Sequence, residues 1–418
     1  MSADYYLFIA GALIVRFSNF ANQKIQWLQV WSLALVQGAI ALAWVIYNLY
    51  LVSLLTQLGF SAALATALLI LENLLAMVME PLMGSLSDRL QRQLGTRFPL
   101  ISIGVILSAG LFLGIPLIAL GGLSSAFRWV LPLMVVAWAL AMTIFRSPAM
   151  SLLGRCAFGT RLPLAASILT LVGGVAGAMG PLASEQILAW GPVVAFGIGS
   201  GVLLLAMLAL RLMLPEGSPD EATPDPNTNA HAAVSWSSLA LVFTAGVGIT
   251  FGFRLLMLLF SKVLDSQIPD ANTRWVLGSI FIALAVVAIP AGQLAVRWGN
   301  RRAMLVGLAG LTFICVTINI AYNNSSSIVL AILFGAAFSL VSNGTIPFAL
   351  SMVPSPKAGL GTGMFFSGGA AAASLFGTVA ELLRTMPTGL ASLLGILALL
   401  LAGACITFAP QRIVSIPS

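Results

Sequence analysis

Ionisable residues inside long apolar runs are the side chains whose chemistry most needs a reason. Glu72 stands near the middle of one such run, and Arg254 stands in the outer half of another. A charge at the centre of a membrane-spanning helix costs about 2.5 kcal/mol or more, so such a residue carries protons, holds a charged partner or pairs with another residue. Counting about 1.5 Å of helical rise per residue puts the two at similar depths. The expectation is that Glu72 faces a cavity, titrates during a working cycle and pairs with Arg254 in one state. A static ion pair, or a protonated glutamate bonded to a neighbouring helix, is the plainer reading of the same residues. Gln37, Tyr47 and Asn48 in the first apolar run, and Ser342, Asn343 and Thr345 in the tenth, are polar groups that suit a cavity. Helix–helix hydrogen bonding uses the same residue types. Glu80, just before Pro81, is expected to bond locally, and Glu185 and Glu381 to be solvated charges at helix ends.

A second group of residues clusters between apolar runs. Gly84, Asp88 and Arg89 are followed by Gly95 and Arg97 after the second run; Gly292 and Arg297 are followed by Gly299 and Arg301 after the eighth. A glycine there lets a helix end pack closely, an aspartate accepts hydrogen bonds from a neighbouring helix terminus, and the arginines hold the loop on one side. An ordinary basic loop would satisfy the arginines alone. The Gly-x-x-x-Asp-Arg spacing and its degenerate copy favour a gating loop.

The elements that carry these residues follow from composition. Of 418 residues, 60% are hydrophobic and 7% charged, which leaves too little polar surface to cover a water-soluble fold of this size. The runs are about 20 residues long without ten-residue alternation, so they read as helices and not as barrel strands. Twelve spans fall near 28–56, 61–83, 98–121, 128–152, 163–188, 191–213, 237–262, 274–297, 302–322, 326–352, 358–384 and 387–409. The expected fold is an all-α membrane protein with twelve transmembrane helices in two pseudo-symmetric six-helix bundles. The expected division is a lead-in over 1–26, a first bundle over 27–213, a polar linker over 214–236, a second bundle over 237–409 and a tail over 410–418.

Basic residues concentrate on one side: Arg89, Arg92, Arg97, Arg155, Arg161, Arg297, Arg301, Arg302 and Lys357, against Arg128, Arg274, Arg384 and Lys262. The positive-inside rule places that side, and both termini, in the cytoplasm, and it accounts for the net charge of +7 without nucleic acid. The run Tyr5 to Val15 lacks the flanks of a cleavable signal. Cys156, Cys315 and Cys405 are widely separated, and the lone His231 sits in the linker, so no metal, cofactor or nucleophilic-catalysis pattern emerges. A phosphate-binding loop of the Walker type is absent, which excludes direct use of ATP, and an enzyme is not expected.

With Glu80, Pro81, Gly84, Asp88, Arg89, Gly95, Arg97 and Pro99 in view, the sequence resembles the major facilitator superfamily. The wide spacing from Asp88 to Gly95 is similar to that of its glycoside–pentoside–hexuronide and sucrose transporter branch. The architectural resemblance covers the whole chain, while the motif resemblance is confined to this loop and the fourth-to-fifth span. The resemblance implies a monomeric secondary transporter in the inner or plasma membrane. It would carry a small polar solute, a sugar or glycoside being favoured, by proton-coupled symport and alternating access. Trp44 and Trp138 suit sugar stacking or simple packing. The branch places an arginine and then an aspartate late in the fourth span, where this chain has Met150 and Arg155; Arg146 is the candidate replacement one turn earlier. An efflux carrier for amphipathic compounds, and a non-transporting factor for pigment delivery or complex assembly, are the competing expectations.

Overall fold

The computed structural model describes residues 25–121, 128–157, 159–214, 234–267, 272–318 and 323–410. His231, most of the linker, the lead-in before residue 25 and the tail after residue 410 lie outside the described residues.

Among the described residues there are twelve long helices: α1 (Trp27–Gln57), α2 (Ala62–Leu94), α3 (Phe98–Leu120), α4 (Val130–Ser151), α5 (Leu162–Leu182), α6 (Pro192–Met213), α7 (Trp236–Gln267), α8 (Thr273–Trp298), α9 (Asn300–Thr317), α10 (Asn324–Ser351), α11 (Ala358–Thr385) and α12 (Thr388–Phe408). Eleven of these spans are long and apolar enough to cross a membrane, and the twelfth, α9, has 18 residues and opens on Arg301 and Arg302. Large apolar side chains such as Leu107, Leu205, Val286 and Leu401 are exposed around the perimeter, a surface suited to lipid and unsuited to water. Buried apolar residues form two clusters, one drawn from residues 25 to 214 and one from 242 to 409.

The helix ends correct the sequence reading in two places. Gly84, Asp88 and Arg89 sit on α2, which continues to Leu94; only the turn at Gly95 to Arg97 is loop. Gly292 and Arg297 likewise lie on α8, Gly299 makes the turn with φ 86°, and Arg301 belongs to α9. The reason is periodicity: residues 80, 84 and 88 recur every four positions, so they form one face of a helix that can be packed against a partner. Charge marked the end of the apolar run but not the end of the helix. In the fifth span the break comes early, at Leu182, and a short helix Ser184–Ala189 follows.

Two antiparallel seams join the first six helices to the last six. Along α2 and α11, Gly84 lies against the Gly359 carbonyl, and Gly363 faces the Glu80 carbonyl so closely that a Cβ there would come within 2.6 Å. The same seam continues where Ser367 donates to the Met77 carbonyl (2.5 Å) and Ser374 to that of Ile70 (3.3 Å). Along α5 and α8, Gly292 meets Ser167, Gly174 meets Ala285, Gly177 meets Phe281, and Gly278 meets Leu182. Small residues let the helices approach closely in lipid, where dispersion and hydrogen bonding must supply the attraction.

Candidate functional site

Asp88 is the best-connected charge in the bundle. It is fully buried at the Leu94 end of α2 and accepts hydrogen bonds from the N–H groups of Gly359 and Leu360 (2.8 Å each), the first turn of α11. Those donors have no partner within their own helix, and the helix dipole favours an anion there. Arg97 Nη2 donates to the same carboxylate at 2.7 Å, and Arg97 Nη1 donates to Ser151 Oγ of α4. One carboxylate thus ties α2, α4 and α11 together. Gly84 is required beside it, because any side chain would collide with the Gly359 backbone. The copy at α8 lacks the device, since Val296 stands where the carboxylate would be. Arg89 and Arg297 are exposed at the helix ends, Gly95 supplies the left-handed turn closing α2 (φ 73°), and Arg301 donates to the Ala409 carbonyl at 3.4 Å.

Two turns along α2 toward the middle of the membrane, Glu80 is also fully buried. Its carboxylate accepts from Arg146 (Nη2–Oε1 2.5 Å) and Ser147 (2.8 Å), both on α4. Arg146 also lies over the Phe366 ring of α11, 4.8 Å from its centroid. Arg146 is therefore a partner of Glu80, a pairing of α2 with α4 that sequence spacing could not announce.

Deeper still, Glu72 is 3% exposed and accepts the Tyr47 hydroxyl of α1 at 2.5 Å, while its second oxygen has no hydrogen-bond partner. Tyr47 packs on Trp138 (centroids 4.6 Å) and Trp44 (5.5 Å), and both indole N–H groups are buried without acceptors. Glu72 is therefore buried beside a cluster of aromatic rings that its partner Tyr47 joins.

Arg254 is elsewhere. It lines a cavity of about 520 Å³ with Phe253, Met257 and Leu258 of α7, Leu277 of α8 and Phe376 of α11. Gly248 and Gly252 pack α7 on α12, so the Arg254 face is turned between α8 and α11, the helices that form the seams. The structure does not bring Glu72 and Arg254 together as an ion pair: among the described residues, neither takes part in a salt bridge.

The remaining candidates separate. Gln37 is half-buried in α1 beside Gly173 of α5. Asn48 returns its amide to the Trp44 carbonyl of its own helix (2.7 Å). Asn343 is fully buried and donates to the Ala288 carbonyl (2.8 Å), so it joins α10 to α8. Ser342 meets Thr170 across the halves at 3.2 Å, and Thr345 bonds back to Ser342. Glu185, read as a solvated helix-end charge, is exposed and also forms an ion pair with Arg274 at the far end of the α5–α8 seam. Nothing in a linear reading links residues so distant, but the antiparallel register of the seam places them opposite each other.

The comparisons with known proteins agree with this geometry. The family model described as Major Facilitator Superfamily matches residues 33–378. No curated protein matches the sequence significantly. Among solved structures, the proton:xylose symporter XylE bound to 6-bromo-6-deoxy-D-glucose is similar with a TM-score of 0.69 at 12% identity, covering 92% of this chain and 96% of that one. The human organic anion transporter MFSD10 (TETRAN) is similar with a TM-score of 0.62 at 16% identity, covering 91% of this chain and 100% of that one. The chain belongs to the major facilitator superfamily, and it is a multi-pass membrane protein with the architecture of a secondary transporter.

Proposed function

We propose that the chain is a proton-coupled symporter of a small polar solute that works by alternating access of its two six-helix halves. The observation that carries this reading is the isolation of Glu72. Asp88 and Glu80 each face a guanidinium, whereas Glu72 faces only the Tyr47 hydroxyl. No cation among the described residues pairs with that carboxyl, so a proton is the counter-charge it can take up, and loading it removes the charge before the helices close around it. Losing the proton leaves an unpaired charge in low dielectric, which favours any arrangement that returns Glu72 to water.

The asymmetry of basic residues supports placing the Asp88 end, and both termini, in the cytoplasm of an inner or plasma membrane. On that orientation the Asp88 network is a cytoplasmic latch, and its opening is the inward-facing step. The halves are residues 27–213 and 237–409, joined by the cytoplasmic linker 214–236, and the working unit is a monomer. The resemblance of the α2–α3 motif favours a sugar or glycoside. The apolar walls of the Arg254 cavity favour a second reading, an efflux carrier for amphipathic compounds.

The test is uptake by proteoliposomes under an imposed pH gradient, screened over sugars, glycosides and organic acids. The proposal expects at least one solute to accumulate and a protonophore to abolish its accumulation. Accumulation that ignores the protonophore contradicts proton coupling, and extrusion against a gradient with no uptake supports the efflux reading.

A further inference from the structure

We infer that the cavity at Arg254 binds an organic monoanion, a carboxylate on an apolar and preferably aromatic body. The inference rests on the transporter reading but revises its solute class, since a neutral sugar gives Arg254 nothing to pair with.

Arg254 lies roughly three turns inside the nearer end of α7. Its guanidinium is exposed to the cavity, with the Phe376 ring 5.9 Å from it as its described contact. Three other basic side chains among the described residues have polar partners. Arg146 is held by Glu80, Arg97 by Asp88, and Lys262 by the carbonyls of Leu383 and Met386. The acidic residue nearest to Arg254 on the same face of α7 is Asp265, three turns further along and about 16 Å away by helical rise. Glu381 of α11 is exposed and pairs with Arg384.

A planar guanidinium offers two parallel N–H donors, and a carboxylate accepts both. The walls beyond the charge are Phe253, Met257, Leu277 and Phe376, which would desolvate an apolar body and strengthen the charge contact at its head. A volume of about 520 Å³ accommodates a bicyclic aromatic acid. Thr250 and Ser261 are the only neutral hydroxyl groups among the lining residues, too few to read the many hydroxyls of a sugar.

The experiment measures binding of 2-naphthoate, 2-naphthamide and phenyl β-glucoside to the purified full-length protein by calorimetry, followed by pH-gradient uptake of each in proteoliposomes. The inference expects 2-naphthoate to bind at least tenfold tighter than 2-naphthamide. It expects Arg254→Gln to lose that preference and Arg254→Lys to retain part of it. Should Arg254→Gln fail to fold, the carboxylate-to-amide ratio of the wild type decides alone. Equal binding of acid and amide, absent binding of the acid, or tighter binding of the glucoside each overturns the inference. Arg254-dependent binding of the acid without pH-driven uptake leaves the inference standing and counts against proton-coupled symport. PH-driven uptake of the glucoside alone does the reverse.

Discussion

Tyr47 of α1 donates its hydroxyl to Glu72 of α2 at 2.5 Å, and no cation among the described residues pairs with that carboxyl. The contact joins two helices of the first half behind Trp44 and Trp138. Tyr47→Phe removes the donor while keeping the ring against Trp138. Leaving a buried acceptor unsatisfied costs about 1–3 kcal/mol. On the proposed cycle this falls on the coupled step, so pH-driven uptake drops roughly tenfold or more while solute exchange at equal pH changes less. Equal loss of both activities would make Tyr47 a packing residue.

Asp88 carries the latch between α2 and α11. Asp88→Asn keeps the size of the side chain but replaces one acceptor oxygen by a donor, which then faces the N–H groups of Gly359 or Leu360. Thr362, 1% exposed and bonded to the Ser147 carbonyl at 3.2 Å, reports opening when replaced by cysteine. The rate at which a membrane-impermeant thiol reagent labels that cysteine from the Asp88 side should rise at least tenfold in Asp88→Asn. An unchanged rate would show that the seam holds without the carboxylate.

Glu80 and Arg146 form a pair in which the carboxylate is fully buried and the guanidinium side chain is 21% exposed. Removing one partner strands the other charge, at a cost of about 3–5 kcal/mol. Glu80→Gln and Arg146→Met should therefore each lower the denaturation midpoint in detergent more than the double variant does. Additive losses in the double variant would mean that the two charges do not depend on each other.

Glu185 and Arg274 form the opposite case, an exposed pair across the two halves. Such pairs contribute about 1 kcal/mol at most and are screened by salt. Arg274→Gln should change uptake by less than about fivefold, and the difference should shrink in high salt. A loss beyond a hundredfold would give this pair a structural weight its exposure does not suggest.

The fold was more legible in the sequence than the site. Twelve spans follow from run length and hydropathy, because lipid demands a helix of about 20 apolar residues whatever its neighbours are. The same rule misplaced Gly84, Asp88 and Arg89 into a loop, since α2 continues past its apolar run and is held there by α11. Residues 80, 84 and 88 share one helical face, a signal in the spacing that charge obscured. Glu72 and Arg254 stood out as intramembrane charges, and Arg146 as a replacement for the branch's arginine, but their partners depend on which helices adjoin. Glu80 with Arg146, and Tyr47 with Glu72, are separated by 66 and 25 positions, and no local pattern links them. The expected joining of Glu72 to Arg254 rested on equal depth alone, and depth says nothing about which way a side chain turns.

The most direct test of the proposed coupling is Glu72→Gln in proteoliposomes loaded with the solute the uptake screen identifies. Two activities are measured on the same preparation: exchange of labelled for unlabelled solute at equal pH, and net accumulation driven by a pH gradient. Glutamine keeps the shape of the side chain and its contact with Tyr47 but carries no exchangeable charge. Exchange within about threefold of the wild type, with pH-driven accumulation abolished, is the predicted result. Retained accumulation that still collapses with a protonophore would contradict the assignment of the coupling proton to Glu72.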